Sequence, residues 1–335
     1  MRVVTSAPNK IILCGEHFVV YGAPALAIPT DNRNRVVLIS SEGDPAIHLK
    51  SELGEAVYSQ DGSLNGSEAF NIFLPAIRYA LQDAKLDEAV NIEIFSRVSK
   101  GMGSSSSLGA SVGLALLTYM NKRAAESDMF ECGQLVDEIA HGGKSSGIDA
   151  KTVIRGKPQR FRKSFRPTRF DFEDIGIELP EGSSLIVVDT FKGEREQTGQ
   201  LIEKFAEAYG IKKTPEELTD EERRNLFRDY DVIFGEFINN CRKDGNAEWL
   251  GNAFNENHKL LSAVSTREIE EARAIALRNG AYGAKLTGSG GKGGAVIALA
   301  PNDKEDGIIR NLESAGYTAF SVETAKEGAK VELAL

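Results

Sequence analysis

Residues 101–111 read GMGSSSSLGAS. Two glycines and four consecutive serines stand between two runs of different period. Upstream, VNIEIFSRV (90–98) alternates, with Val90, Ile92 and Ile94 on one face, which predicts a strand. Downstream, LGASVGLALLTYMNKRAAE starts at Leu108 and predicts a mostly apolar, buried helix. A Gly-rich turn from strand to helix lets the backbone approach an anion closely. Its free N–H groups and the positive end of the helix dipole then face the anion. Serine hydroxyls are hard oxygen donors suited to magnesium. A helix cap after a flexible turn fits the same residues. The stretch is not a Walker A loop, because no Gly-Lys-Ser/Thr ends it, and it is not GxGxxG.

Three further segments carry candidate chemistry. APNKIILCGEHFVVYG (7–22) places Lys10, Glu16 and His17 around a strand-like run and a turn. DEIAHGGKSSGIDAKT (137–152) places Glu138 on a predicted helix and Asp149 after a Gly/Ser turn. Two carboxylates can divide the work of phosphoryl transfer, one holding magnesium and the other taking a proton from a hydroxyl. An aspartate in that position also fits a turn or helix cap. GAKLTGSGGKGGAVIAL (283–299) puts six glycines within twelve residues between two strand-like runs, more than a hairpin needs.

The rest of the chain frames these segments. Residues 2–41 and 90–98 predict strands, and 67–84 predict a helix kinked at Pro75. Helices are expected over 128–141, 248–264, 266–280 and near 304–314. Thr214 and Thr219, each with a glutamate three residues on, are capping-box candidates. A boundary is expected where IGIELPEGSS precedes the strand LIVVD, giving domains 1–178 and 179–335, each a sheet with helices. Trp249 is expected in the core, and His48 and His258 in ordinary structural or surface roles.

Composition sets the outer limits. The chain has 335 residues, 41% hydrophobic and 27% charged, as in a globular enzyme. A net charge of −9 argues against a dedicated nucleic-acid binder. One stretch runs against it: RGKPQRFRKSFRPTRF (155–170) interleaves seven Lys/Arg with three phenylalanines. Single-strand binding and a hairpin with inward phenylalanines both fit that pattern. Three widely spaced cysteines without CxxC imply a reducing compartment and no zinc site. No apolar run reaches the roughly 18 residues of a membrane span, and no signal-peptide pattern is seen. A cytoplasmic protein is expected.

Taken together and in this order, the segments resemble the three signatures of the GHMP kinase superfamily, spread over almost the whole chain. Within it, GEHFVVYG, HGGKSSGIDAKT and KLTGSGGKGG look most like the mevalonate kinase branch. The resemblance implies an α+β, two-domain fold. Its N-terminal part is ribosomal protein S5 domain 2-like, and its C-terminal part is a ferredoxin-like α/β sandwich. It implies an ATP-dependent kinase with magnesium as cofactor, acting on the C5 hydroxyl of mevalonate. By position it assigns Asp149 as catalytic base and Lys10 as the lysine that offsets charge on the acceptor oxygen. It assigns ATP and phosphate contacts to Lys100, Gly101, Gly103, Ser104, Ser105, Ser106 and Ser107. Ser105 and Glu138, the latter eleven residues before Asp149, become magnesium ligands. Glu16, His17, Gly147, Thr198, Gly288 and Gly290 become acceptor contacts, and His141 a wall of that pocket.

There are departures. The phosphate loop lacks its upstream proline and carries Lys100. Lys144 and Ser145 replace an Asn-Pro pair, and Lys292 interrupts the last glycine run. Extra lysines suit an acceptor that already carries phosphate, so a phosphomevalonate kinase or another small-molecule kinase of the superfamily stays open as an alternative. A non-catalytic nucleotide- or nucleic-acid-binding protein is a further one. No nucleic-acid or membrane partner is expected, and a homodimer is left open.

Overall fold

The computed structural model describes residues 1–82, 84–96, 102–143 and 145–335. In chain order, β1 (Arg2–Cys14), β2 (Ala25–Ser41), β3 (Ala46–Ser51), β4 (Gly54–Ser59) and β5 (Leu64–Gly66) precede helix α1 (Leu74–Leu81). Then come β6 (Ala89–Phe95), α2 (Ser104–Tyr119), α3 (Glu126–Ala140), α4 (Ile148–Arg155), β7 (Gln159–Ser164) and β8 (Arg169–Asp174). The second half runs β9 (Ser183–Asp189), α5 (Thr198–Ala208), α6 (Asp220–Leu226), α7 (Arg228–Asn240), α8 (Ala247–Leu260) and α9 (Arg267–Arg278). It ends with β10 (Gly283–Thr287), β11 (Ala295–Pro301), α10 (Glu305–Ser314), β12 (Thr318–Val322) and β13 (Lys330–Ala334).

Among the described residues the first sheet is ordered β13-β1-β2-β6-β3-β4-β5, with the β7–β8 hairpin attached to β2. β6 and the second half of β2 alternate as half-buried strands should, with Val36, Leu38, Ile92 and Ile94 facing the helices, whereas β1 is buried along nearly its whole length. The second sheet is antiparallel, ordered β10-β11-β9-β12. Leu185 to Val188 and Ala295 to Ala300 form two continuous buried runs at its centre. The chain tail leaves this half: β13 pairs with β1, and Thr324 bridges Thr30. The expected domain 179–335 therefore contributes its last strand to the first sheet.

A single apolar core joins the halves. Phe18, just after β1, stacks on Tyr230 of α7 at 4.3 Å and meets Phe205, Phe227 and Tyr209 edge-on. Tyr230 also donates a 2.5 Å hydrogen bond to the Pro24 carbonyl. The segment around Glu16 and His17 is thus clamped between both parts of the chain.

Local expectations fare unevenly. Pro75 does mark a change of helix: a 3-10 turn, Glu68–Phe73, gives way to α1 with proline in its first turn, where a missing N–H costs nothing. Thr219 caps α6 reciprocally with Glu222. Thr214 makes the same kind of contact with Glu217, but in a turn that no helix follows. Trp249 is 60% exposed in the first turn of α8, not in the core. In the basic stretch Phe161 is buried, whereas Phe170 lies on the surface; Lys163 stands over its ring.

Candidate active site

Lys10 lies in the middle of β1, where a lysine would ordinarily be unwelcome. Its backbone N–H donates to the Met102 carbonyl at 2.8 Å, which ties the residues just before α2 to the strand. Gly103 then turns into α2 with φ +69. A Cβ there would come within 2.8 Å of Lys10 Cγ and 2.9 Å of its Cε, so the loop can cover the lysine stem only because residue 103 is glycine. The ammonium emerges 3.0 Å from Asp149 Oδ1, with side-chain exposures of 3% and 13%. Asp149 sits in the first turn of α4, which Gly147 opens in the left-handed conformation, φ +81. Burial raises the pKa of Asp149; Lys10 opposes this and the charge of Asp137 adds to it. The result is a carboxylate with heightened proton affinity beside a fixed cation.

The second cluster forms because α2 and α3 pack unusually closely. A Cβ on Gly113 would fall 2.4 Å from Cys132 Sγ, and one on Gly109 2.7 Å from the Cys132 carbonyl. This contact carries Asp137 of α3 against the start of α2. Asp137 accepts hydrogen bonds from Ser105 (2.6 Å) and Ser145 (2.5 Å) and from the His141 ring, 3.3 Å away. Burial would raise its pKa, but His141 and the two hydroxyls outweigh burial and bring it to about 2. His141 answers in kind. Burial disfavours its charge, yet the hydrogen bond and charge of Asp137 push it up to about 9.

Ser105, expected to share a site with Glu138, meets Asp137 instead. Glu138 is exposed and accepts a hydrogen bond from Gln134, one turn back on the outer side of α3. Counting eleven residues back from Asp149 assumes a loop of fixed length. The helix itself held the better signal: Cys132, Gly133, Val136 and Asp137 form its buried stripe.

The four serines separate by role. Ser104 Oγ accepts from Asn34 at 3.2 Å, in a small network with Asn9. Ser105 faces Asp137. Ser106 and Ser107 are fully buried, and Ser107 Oγ donates to the Ala7 carbonyl at 2.9 Å. The hydroxyl expected at 107 to meet phosphate therefore docks α2 onto β1. The first N–H groups of a helix generally lack an intrahelical partner, which makes the start of α2 the place where an anion would be expected. Lys100, Gly101 and Lys144 lie outside the described residues.

The remaining expected residues come from both halves of the chain. Gly15, φ +108, approaches Ala25 so closely that a Cβ would sit 2.4 Å from the Ala25 Cβ. It delivers Glu16 and then His17, a non-glycine residue held at φ 60. Glu16 is buried and ion-paired with Lys285, a residue absent from the expected site. His17 Nε2 donates to the Ser289 carbonyl at 2.9 Å, and its ring stacks on Phe205 at 5.2 Å. Burial brings His17 down to about 4 despite that bond, so its ring is neutral. Gly288 and Gly290 lie on the loop after β10, with positive φ at both. Thr198 begins α5, two turns before Phe205 on the same helix face. Lys292 is exposed on that loop and paired with Glu194 at 2.7 Å, away from the buried clusters.

Comparison with known proteins covers the same ground. The family model for the GHMP kinases N terminal domain matches residues 71–157, and that for GHMP kinases C terminal matches 237–318. The chain is 30% identical to the mevalonate kinase of Pyrococcus furiosus over 99% of each chain. It is 30% identical to that of Aeropyrum pernix over 98% of this chain and 97% of the other. Among solved structures, the Methanococcus jannaschii mevalonate kinase superposes with a TM-score of 0.77 at 23% identity, covering 97% of this chain and 99% of that one. The L. major mevalonate kinase in complex with R-mevalonate gives 0.75 at 21%, covering 98% and 97%.

Proposed function

The chain belongs to the GHMP kinases and groups there with the mevalonate kinases, and on that premise we propose that it transfers the γ-phosphoryl group of ATP to the C5 hydroxyl of (R)-mevalonate. The observation that carries this reading is the buried Lys10–Asp149 pair, 3.0 Å apart, under a phosphate loop shaped by Gly103.

An aliphatic alcohol is far less acidic than a carboxylic acid. Asp149 therefore cannot strip the hydroxyl beforehand, and accepts its proton as the P–O bond forms. The raised proton affinity of Asp149 favours that transfer. Lys10 stabilises negative charge on the attacking oxygen and fixes its approach. The first N–H groups of α2, with the hydroxyl of Ser105, cradle the phosphates.

The donors beside this cradle suit magnesium. Ser105 and Asp137 offer oxygen only, and Asp137 stays ionised. Among the described residues no group of three or more His, Cys, Asp and Glu could hold a metal. When bound, magnesium would neutralise developing phosphate charge. Ser105 and Asp137 would hold it, with Ser145 and His141 orienting Asp137. Glu16, His17 and Thr198 would line the acceptor side.

Incubation with ATP and (R)-mevalonate, followed by phosphorus NMR of the product, tests the reading. A new phosphomonoester on the primary carbon supports it; recovery of unmodified mevalonate contradicts it. Among the described residues no helix is long and apolar enough to cross a membrane. We place the enzyme in the cytoplasm, with no nucleic-acid partner and with assembly as a homodimer left to measurement.

A further inference from the structure

Lys285 is the one lysine whose side chain is fully enclosed by this fold, among the described residues. It sits in β10, the edge strand of the second sheet, and donates to Glu16 Oε1 and to the Leu286 carbonyl. Both members of the Lys285–Glu16 pair have side chains wholly out of solvent. Two charges taken out of water are a poor way to gain stability, because well-packed apolar residues of similar volume usually do as well or better. The pair therefore calls for another explanation.

Its surroundings supply one. Lys285 and Thr287 point the same way from β10. Thr287 Oγ1 donates to the Ile12 carbonyl at 2.8 Å, so this face of the strand is fastened to β1 and its following turn. The strand is itself held from behind, where the Leu286 N–H donates to His258 Nδ1 at 3.1 Å. The Lys285 ammonium is thus a fixed point. Against it, Glu16 uses only one oxygen. Glu16 Oε2 is buried without a hydrogen-bond partner, as is the neighbouring His17 Nδ1. A buried carboxylate oxygen left unpaired is costly, and this one is close enough to Lys10 to feel its charge.

We propose that Lys285 is a positioning residue for the acceptor: by holding Oε1 of Glu16 from the C-terminal half, it leaves Oε2 turned to accept a hydrogen bond from a hydroxyl of the bound substrate. The inference rests on the kinase reading above. It gives the Lys-Leu-Thr part of the last glycine motif a function separate from phosphate contact. Burial works against the charge on both partners, and each offsets that cost for the other only while the two halves remain docked.

Steady-state kinetics on the full chain test this. The acceptors are mevalonate, 5-phosphomevalonate, galactose and homoserine, and whichever one the wild type phosphorylates is used throughout. Lys285→Met is expected to raise the acceptor KM about 10- to 100-fold, the range for loss of a hydrogen bond to a charged group, and to leave the ATP KM within about twofold. Glu16→Gln is expected to give a similar acceptor KM. The double variant Lys285→Met/Glu16→Gln, which leaves no buried charge unpaired, keeps the test open if Lys285→Met folds poorly. Its acceptor KM should match that of Glu16→Gln alone, and its thermal midpoint should lie above that of Lys285→Met. A folded Lys285→Met enzyme with an unchanged acceptor KM would overturn the proposal. So would an equal rise in both KM values, or a double variant clearly worse for the acceptor than Glu16→Gln. A wild type inert towards all four alcohols would instead overturn the kinase reading, and this proposal with it.

Discussion

The Lys10 ammonium lies 3.0 Å from the Asp149 carboxylate, and the two come from elements 139 residues apart in the chain, β1 and α4. Neither element alone would hold the pair. Gly103 covers the lysine stem, and α4 is set by its packing on α2, α3 and β1. If Asp149 takes the acceptor proton, Asp149→Asn should lower kcat by about 10²- to 10⁴-fold, the usual scale for a positioned acid or base. ATP binding should change little, because Asp149 faces Lys10 and not the start of α2. Turnover near that of the wild type would show that Asp149 is not the base.

Gly103 tests the geometry that shapes the pair. An alanine there meets the Lys10 stem and must also adopt φ near +69. The backbone strain costs about 1–2 kcal/mol, and relief of the clash must displace either the loop or Lys10. Gly103→Ala should therefore reduce kcat at least tenfold and lower the thermal midpoint. Kinetics together with a melting curve check both halves of this expectation.

The two acidic neighbours on α3 should behave oppositely. Asp137→Asn removes the carboxylate shared by Ser105, Ser145 and His141, and should raise the magnesium concentration needed for half-maximal rate by tenfold or more. Glu138→Gln changes only an exposed residue bonded to Gln134, and should leave that concentration within about twofold. A magnesium titration of each variant decides between Asp137 and Glu138.

His258 makes the protein acid-sensitive. Burial, aided by the Arg273 charge, brings its pKa down to about 4 although Glu270 lies 2.7 Å away. In the unfolded chain it takes a proton below about 6.5, and in the folded protein only near 4. Folding stability should therefore be lost as pH falls from 6.5 towards 4. This residue should account for about 2–3 kcal/mol of the loss by pH 4.5. Urea unfolding at pH 7 and 4.5 measures it, and His258→Asn, which keeps an acceptor for the Leu286 N–H, should show a correspondingly smaller loss.

How far these features are legible in the sequence depends on what fixes each one. Strand period places Val90, Ile92 and Ile94, because burial on one face is a local property, whereas the helix expected from Leu108 begins at Ser104 with the serine run as its first turn. The sequence singles out Lys10, Asp149 and Ser105 from three separate motifs, and only the fold shows that Lys10 meets Asp149 while Ser105 meets Asp137. Glu138 faces Gln134 and not Ser105, because counting back from Asp149 fixes a number of residues but not which face of α3 they occupy. Ser107 is misjudged because its hydroxyl meets a strand a hundred residues upstream. Lys285 goes unremarked for the same reason: a lysine in an apolar strand has meaning only once its partner, 269 residues away, is known. Trp249 shows the reverse error, since size and hydrophobicity do not say which face of α8 is covered.

The central claim is the identity of the acceptor, and the lysines that depart from the family pattern are what make it worth measuring. Lys292 is paired with Glu194 at the surface, where both side chains are largely exposed. Initial rates of ADP release with ATP and magnesium, compared across mevalonate, 5-phosphomevalonate, galactose and homoserine, test it most directly. The account predicts a kcat/KM for (R)-mevalonate at least about a hundredfold above the other three. Turnover confined to 5-phosphomevalonate would contradict it.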